Sequence, residues 1–219
     1  DLYAERHGLQ RLPFQEFLLR TCDLVAPCSE QGEIYLHNRY PKAKWNVRYS
    51  HLGVESQDII NMGSADDVLR IVTCSAIVPV KRLELLISAL MKVSRKVQWT
   101  HIGDGDDKET IRQLSTKLPD NIKTAFLGQL EYKAVLEYYR NNPVDLIVNV
   151  SSSEGIPLSI MEALSFGIEP LAANVGGVSE VVKPEFGTLL EPEFSPELLA
   201  DKLERHQNSK EKRIMAQEH

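Results

Sequence analysis

The sequence predicts an α/β fold built on a doubly wound parallel sheet, accompanied by the remnant of a second α/β domain. Three observations lead to this prediction. Apolar segments of strand length recur about every 25 residues between residues 69 and 174. Amphipathic segments with helical periodicity lie between them. Small residues or glycines follow the apolar segments, and they allow backbone to approach a ligand closely.

The first 55 residues predict fewer strands than a sheet needs. The predicted elements are, in order, a short helix over 13–22 that starts at Pro13, a strand over 23–28, a helix over 30–40 capped by Ser29, and a strand over 44–51. Two strands cannot bury a sheet on their own. We therefore expect residues 1–55 to be the tail of a domain whose earlier part lies upstream.

From residue 66 onward the alternation is regular. Strands are predicted over 69–75, 97–103, 123–128, 144–150 and 170–174. Helices are predicted from Lys81, around Ile111 and Leu114, around Val135 and Tyr139, from Ile156 or Pro157, from Gly176, and after the capping residue Ser195. Residues 56–207 are expected to form the main domain. The polar residues 208–219 have a weak helical signal and either continue the last helix or fray.

Composition narrows the class of protein. The chain has 219 residues, 42% of them hydrophobic and 26% charged, and its net charge is −6. Acidic and basic residues are interspersed, which argues against a nucleic-acid partner, since such proteins usually carry a basic stripe. The three cysteines, Cys22, Cys28 and Cys74, lack metal-type spacing and are expected to be reduced thiols. Without a signal peptide or an apolar run of about 20 residues, the chain is expected to be cytoplasmic.

The segment 151–167, SSSEGIPLSIMEALSFG, is the strongest candidate for a functional site. It follows the apolar strand predicted over 144–150, and ligands of open parallel sheets lie outside the carboxyl ends of the strands. Glu162 is the only charged residue between Gly155 and Ile168, and a carboxylate in apolar company needs donors. Glu154 precedes a helix start, so it either contacts a ligand or is a solvated loop carboxylate.

The other predicted strand ends carry weaker signals. Lys81 lies at a helix start, where its ammonium either meets a diphosphate or is an exposed first-turn lysine. The segment Gly103-Asp104-Gly105 lacks the GxGxxG spacing of dinucleotide-binding proteins, which argues against a nicotinamide enzyme. Gly176-Gly177 is either a tight turn or a place where backbone meets a sugar. The scattered histidines suggest neither a catalytic triad nor a metal site, and His101 is interpreted as structural.

Five motifs in order resemble the retaining glycosyltransferases of family 4, which have the GT-B fold. The main motif is EGIPLSIME, residues 154–162, two glutamates separated by seven residues. The supporting motifs are IVPVKR at 77–82, HIGDGD at 101–106, FLGQL at 126–130 and NVGGVSEVV at 174–182. The resemblance implies that 56–207 is the Rossmann-like donor-binding half of this fold and that 1–55 belongs to the acceptor-side domain.

The resemblance also implies roles for individual residues. Lys81 and Glu154 would be catalytic, Lys81 neutralising the departing diphosphate and Glu154 lying near the donor sugar. Glu162 would hold the ribose hydroxyls of a UDP- or GDP-linked sugar. The further donor-binding residues implied are Ser75, Arg82, Gly103, Asp104, Gln129, Leu130, Gly155, Ile156, Pro157 and Leu158, with Gln129 and Leu130 facing the base.

The function implied by the resemblance is transfer of a sugar, with retention of configuration, to a saccharide or lipid-linked acceptor, as in polysaccharide synthesis. No metal and no further cofactor are expected. Peripheral membrane association is expected of the complete protein, and this chain alone is expected to bind donor without transferring it. One alternative is a non-catalytic nucleotide-binding module. Another is a related phosphorylase or epimerase, although the paired glutamates argue against an epimerase.

The sequence departs from the family pattern at two positions. Ala76 stands five residues before Lys81, where many members carry an arginine that partners the lysine. Lys81 then acts alone, or Arg82 or a cation from the upstream domain supplies the second charge; Ala76 also favours the non-catalytic alternative. Ile168 is followed by Glu169-Pro170 rather than directly by proline, and the sequence offers no reason for a charge there.

Overall fold

A computed structural model describes residues 15–41 and 46–219. Its centre is a six-stranded sheet in the order β3-β2-β1-β4-β5-β6, with every neighbouring pair parallel. The strands are β1 (Leu69–Cys74), β2 (Val97–Ile102), β3 (Ile122–Gly128), β4 (Leu146–Asn149), β5 (Glu169–Ala173) and β6 (Thr188–Leu190). This sheet confirms the predicted fold class. No strand was expected at β6, because three residues are too few to show a pattern.

Helices precede, connect and follow the strands. They are α1 (Gln15–Thr21), α2 (Glu30–Arg39), α3 (Leu83–Leu90), α4 (Lys108–Ser115), α5 (Tyr132–Asn141), α6 (Leu158–Leu164), α7 (Val178–Val181), α8 (Pro196–Arg205) and α9 (Lys210–Glu218). A short 3-10 turn, Pro79–Lys81, precedes α3. Parallel strands require crossovers of this kind, since a tight turn cannot return the chain to the same edge.

Both faces of the four central strands, β2, β1, β4 and β5, are largely buried. Successive side chains of a strand point to opposite faces, so neighbouring residues of β1 enter different cores. Ile71 packs in the core that contains Trp99, whereas Val72 packs in the core that contains Tyr139 and Phe166. Burial on both faces explains why the strands are near-continuous apolar runs in the sequence.

The two strands predicted in the amino-terminal part are absent from the described residues there. In their place, Val25 and Val47 form a single parallel bridge. Among the hydrophobic side chains that the structure describes in this region, Leu19, Leu36 and Val47 are buried, a cluster too small to support a sheet. The predictions at Pro13, Lys44 and Trp45 lie outside the described residues. The helix predicted from Glu30 is confirmed, and Ser29 caps it by accepting a hydrogen bond from the Gly32 N–H (3.0 Å).

The polar carboxyl-terminal residues form a separate helix, α9, capped by Ser209, rather than a continuation of α8. This helix accounts for the charge at Glu169, which is 3% exposed. Its Oε2 lies 3.8 Å from Lys212 Nζ on α9. Burial raises the pKa of Glu169, and the positive charges of Lys212 and Arg213 oppose that rise.

A buried polar cluster also fastens α9 to the amino end of β4. Arg213 and Asp145 are both 1% exposed, with Nη2 and Oδ1 3.7 Å apart. The Asp145 carboxylate accepts hydrogen bonds from the backbone N–H groups of Ser64 and Arg70 (both 2.6 Å) and from Asn208 Nδ2 (2.7 Å). Buried charges are stable only when paired in this way, so the cluster orders the end of the chain.

Candidate functional site

The strand order creates a crevice between β1 and β4. These strands are neighbours in the centre of the sheet, but the chain runs from β1 to β2 on one side and from β4 to β5 on the other. Ligands of doubly wound sheets bind at such a switch point, outside the carboxyl ends of the strands. Lys81 follows β1 and Glu154 follows β4, so both predicted catalytic residues lie at this crevice.

Lys81 and Glu154 form an ion pair across the crevice. Lys81 Nζ lies 2.7 Å from Glu154 Oε1, and the two side chains are 21% and 11% exposed. Asn149, the last residue of β4, donates from Nδ2 to the same oxygen (3.0 Å). Its Oδ1 accepts the Ser151 N–H (2.9 Å). Asn149 was not predicted as a site residue, because within an apolar strand it carries no signal of its own.

The helix of the paired-glutamate motif begins at Leu158, one or two residues later than predicted. Gly155, Ile156 and Pro157 therefore belong to the loop after β4. Ile156 is buried in the core, and Leu158 is 43% exposed.

Glu162 lies half-buried on α6, beside Cys74 and Tyr139. Burial raises the pKa of Glu162. Burial, followed by the charge of Glu162, raises the pKa of Cys74 to about 11. Burial also raises the pKa of Tyr139, with smaller contributions from Cys74 and Glu162. Within residues 15–41 and 46–219, the structure gives the Glu162 carboxylate no hydrogen bond and no ion pair. A partly desolvated carboxylate without a donor can accept hydrogen bonds from a ligand.

The Gly176-Gly177 turn packs on the loop that contains Glu154. Gly176 has φ 55°, and a Cβ there would overlap the carbonyl oxygen of Glu154. The Gly177 N–H donates to the Gly155 carbonyl (2.9 Å). The sequence left open a plain turn or an approach to a sugar. The structure shows an approach to the protein's own site loop, and an approach to a sugar stays a prediction.

The Gly103-Asp104-Gly105 loop braces the loop after β1 in a similar way. A Cβ on Gly103 would overlap the Ser75 carbonyl oxygen, and a Cβ on Gly105 would overlap the Ile77 carbonyl oxygen. Asp104 Oδ2 accepts a hydrogen bond from Lys108 Nζ (2.6 Å), which lowers the pKa of Asp104. Ser75 itself donates from Oγ to the Ala76 carbonyl (3.1 Å).

Arg82 is engaged by the protein's own backbone. Its guanidinium donates to the carbonyls of Val150 (2.6 Å), Ser151 (3.1 Å) and Pro192 (3.1 Å). It also lies over the Phe194 ring, 5.3 Å from the centroid. Arg82 therefore holds the loop after β4 in place, and this geometry argues against its supplying the second charge for a diphosphate.

Gln129 and Leu130 follow β3, the edge strand two positions from β1. Gln129 is exposed, and Leu130 packs against the core that contains Tyr139.

A separate cavity of about 800 Å³ lies between segment 51–57 and helices α6, α7 and α9, with Ile156 on its wall. The described residues contain no helix long and apolar enough to cross a membrane. They also contain no group of three or more His, Cys, Asp or Glu residues placed to hold a metal ion.

Comparisons with known proteins identify a family that the chain matches. Residues 56–218 match the model of the family described as glycosyl transferases group 1. The lipopolysaccharide 1,6-galactosyltransferase of Escherichia coli (strain K12) is 24% identical over 172 residues, which are 65% of this chain and 48% of that protein. The GDP-mannose-dependent monoacylated alpha-(1-6)-phosphatidylinositol monomannoside mannosyltransferase of Corynebacterium glutamicum is 29% identical over 157 residues, 64% of this chain and 40% of that protein. The chain thus spans less than half the length of these two relatives.

Two solved structures share the fold. The lipopolysaccharide outer core galactosyltransferase WaaB, in its apo form, superposes with a TM-score of 0.73 at 20% identity, over 84% of this chain and 52% of that one. Anabaena Alr3699/HepE in complex with UDP-glucose superposes with a TM-score of 0.73 at 22% identity, over 93% of this chain and 60% of that one.

Proposed function

Because the chain belongs to the glycosyl transferases group 1, we propose that it is the donor-binding part of a retaining glycosyltransferase. The observation that carries the proposal is the ion pair of Lys81 and Glu154 at the switch point between β1 and β4. Two opposite charges that face each other in a ligand crevice suit a donor with both an anionic diphosphate and a neutral sugar.

The donor in this proposal is a nucleoside diphosphate linked to a sugar. Lys81 stabilises the negative charge that develops on the departing diphosphate, as preorganised charges do in other enzymes. Glu154, held by Asn149, receives the sugar beside it. Glu162 accepts hydrogen bonds from the two ribose hydroxyls, because its half-buried carboxylate otherwise lacks donors. The UDP-glucose complex of the related Anabaena structure supports a uridine donor.

The acceptor is proposed to be a saccharide or a lipid-linked saccharide. The names of the two bacterial relatives, a lipopolysaccharide galactosyltransferase and a phosphatidylinositol monomannoside mannosyltransferase, support this choice. Such acceptors lie at membranes, so we propose a cytoplasmic protein that associates peripherally with one. Retention of configuration and the absence of transfer by this chain alone belong to the same proposal.

Isothermal titration calorimetry of the chain with UDP, GDP and ADP tests donor binding. We expect UDP or GDP to bind, and no heat with any of the three at millimolar concentration would refute the proposal. Glu162→Ala should weaken binding about 10- to 100-fold, the effect of losing hydrogen bonds to a charged group. Glu137→Ala, which removes an exposed helical glutamate on α5, is the matched control and should bind normally.

A non-catalytic nucleotide-binding module is the second candidate, and Ala76 is the observation that favours it. A transfer assay on this sequence joined to an upstream acceptor-side half distinguishes the two candidates. Nucleotide binding without any sugar transfer would favour the module. Transfer gained only after Ala76→Arg would show that the lost arginine is the reason for inactivity.

A further inference from the structure

Glu180, on the short helix α7, joins the amino-terminal segment, here residues 28–41 and 46–51, to the loops of the candidate site. Its two carboxylate oxygens accept the backbone N–H groups of Glu30 (2.9 Å) and Gln31 (3.0 Å), which lie 150 and 149 positions away at the start of α2. His51 Nε2 lies 2.8 Å from Oε2, and the Glu180 side chain is 12% exposed. The carboxylate is therefore shared by two parts of the amino-terminal segment.

These contacts make Glu180 a cap supplied from elsewhere in the chain. The first N–H groups of a helix have no partner within the helix, and a negative charge near them is favourable. Ser29 accepts the Gly32 N–H, and Glu180 accepts the two N–H groups that remain before it. Burial opposes the ionisation of Glu180, but the N–H groups of Gln31 and Glu30 and the His51 ring outweigh it and lower the pKa.

The same residue lies close to the candidate site through its own chain. Glu180 follows the Gly176-Gly177 turn, which packs on the backbone of Glu154 and Gly155. The amino-terminal segment also reaches this loop directly, because a Cβ on Gly155 would lie 3.4 Å from Cys28 Sγ. A shift of α2 relative to α7 would therefore reach the backbone that carries Glu154.

We propose that Glu180 is a positioning residue, which fixes the amino-terminal residues 28–41 and 46–51 against the site loops and so holds Glu154 in place beside Lys81. The consequence for donor binding rests on the function proposed above. The mechanical part of the proposal, that Glu180 fixes the amino-terminal residues in place, does not rest on that function, since it concerns contacts within this chain alone. A residue in this role links the acceptor side of the molecule to the geometry of the donor crevice.

Hydrogen exchange at single amides tests the mechanical part. We expect the amides of Glu30 and Gln31 to exchange about tenfold faster in Glu180→Ala, because a lost helix cap is worth roughly that factor in the local opening equilibrium. Glu180→Gln retains one acceptor oxygen and should show a smaller increase, and it serves as the folded variant if the alanine variant does not fold. Glu185→Gln, at an exposed glutamate on the same segment, is the control and should leave both amides unchanged.

The affinity of the same variants for UDP tests the coupling to the site. Glu180→Ala should weaken UDP binding about fivefold or more, with Glu180→Gln intermediate and Glu185→Gln unchanged. Unchanged exchange at Glu30 and Gln31 in both Glu180 variants would overturn the proposal. Faster exchange with unaltered UDP affinity would overturn the coupling. If the unsubstituted chain binds no nucleotide, the proposed function fails, and the exchange rates still decide whether Glu180 fixes the segment.

Discussion

A single methyl group at Gly176 should reveal how tightly the site loops pack. Gly176 has φ 55°, and a Cβ there would overlap the backbone oxygen of Glu154. Gly128 has a similar backbone, φ 71°, but nothing lies within 4 Å of its Cβ position. In both alanine variants the left-handed conformation costs about 1–2 kcal/mol. Only Gly176→Ala also forces two backbone segments apart, which costs about a further 1–3 kcal/mol.

Thermal and urea denaturation of the two variants give the comparison. A chain of this size loses about 2–4 °C in Tm per kcal/mol, so Gly128→Ala should lower Tm by about 2–8 °C. Gly176→Ala should lower it by about twice as much. The cost of placing alanine in the left-handed conformation is common to both variants, so it cancels when their losses of stability are compared. Equal losses of stability would show that the contact between Gly176 and Glu154 is loose, and would refute the packing on which the position of Glu154 depends.

Three further predictions concern charge. If donor binding is as proposed, Lys81→Met should weaken UDP binding about 10- to 100-fold, whereas Glu154→Gln, which frees the lysine, should leave UDP affinity unchanged or raise it. Lys108→Met, which breaks the ion pair with Asp104, is the control. Equal weakening by Lys81→Met and Glu154→Gln would contradict the prediction. Asp145→Asn should cost about 3–5 kcal/mol of unfolding free energy at pH 7, because Asp145 is the buried partner of an arginine. Burial opposes the ionisation of Asp145, but its N–H donors lower its pKa below 3.8. The stabilisation by the carboxylate is therefore lost as the pH falls below that value. The difference in unfolding free energy between the unsubstituted chain and Asp145→Asn, measured with urea, should narrow there. Burial lowers the pKa of His101 to about 4, so its ring should stay neutral at pH 6 in an NMR titration, and protonation near 6.5 would contradict this.

Most of the strands and helices of the main domain could be predicted from the sequence, whereas the two strands predicted in the amino-terminal part were wrong. Strands buried on both faces are apolar runs, and their helices carry a periodic apolar face, so both patterns are visible along the chain. The segments 23–28 and 44–51 were also predicted as strands, but the described residues among them form only the bridge between Val25 and Val47. A strand needs neighbours, and a local pattern does not reveal whether they exist.

Some features of the candidate site could also be predicted from the sequence, and others could not. Glu154 and Lys81 could be selected because each follows a predicted strand end, and Glu162 because it is the only charged residue between Gly155 and Ile168. The direction of the Arg82 side chain could not be predicted, since its acceptors are carbonyls 68 and 69 positions away and one at 110 positions. Chain spacing alone cannot distinguish a cation that faces a ligand from one that faces backbone.

By itself, then, the sequence determined the α/β class, the order of the elements from β1 to α7, and which glutamates and lysine merited attention. Those properties depend on local periodicity and on residue types at strand ends. The tertiary structure decided which of these residues meet, because it places β1 beside β4 and so brings Lys81 against Glu154. It also decided that Glu180 caps a helix 150 positions away, a contact that depends on the path of the whole chain.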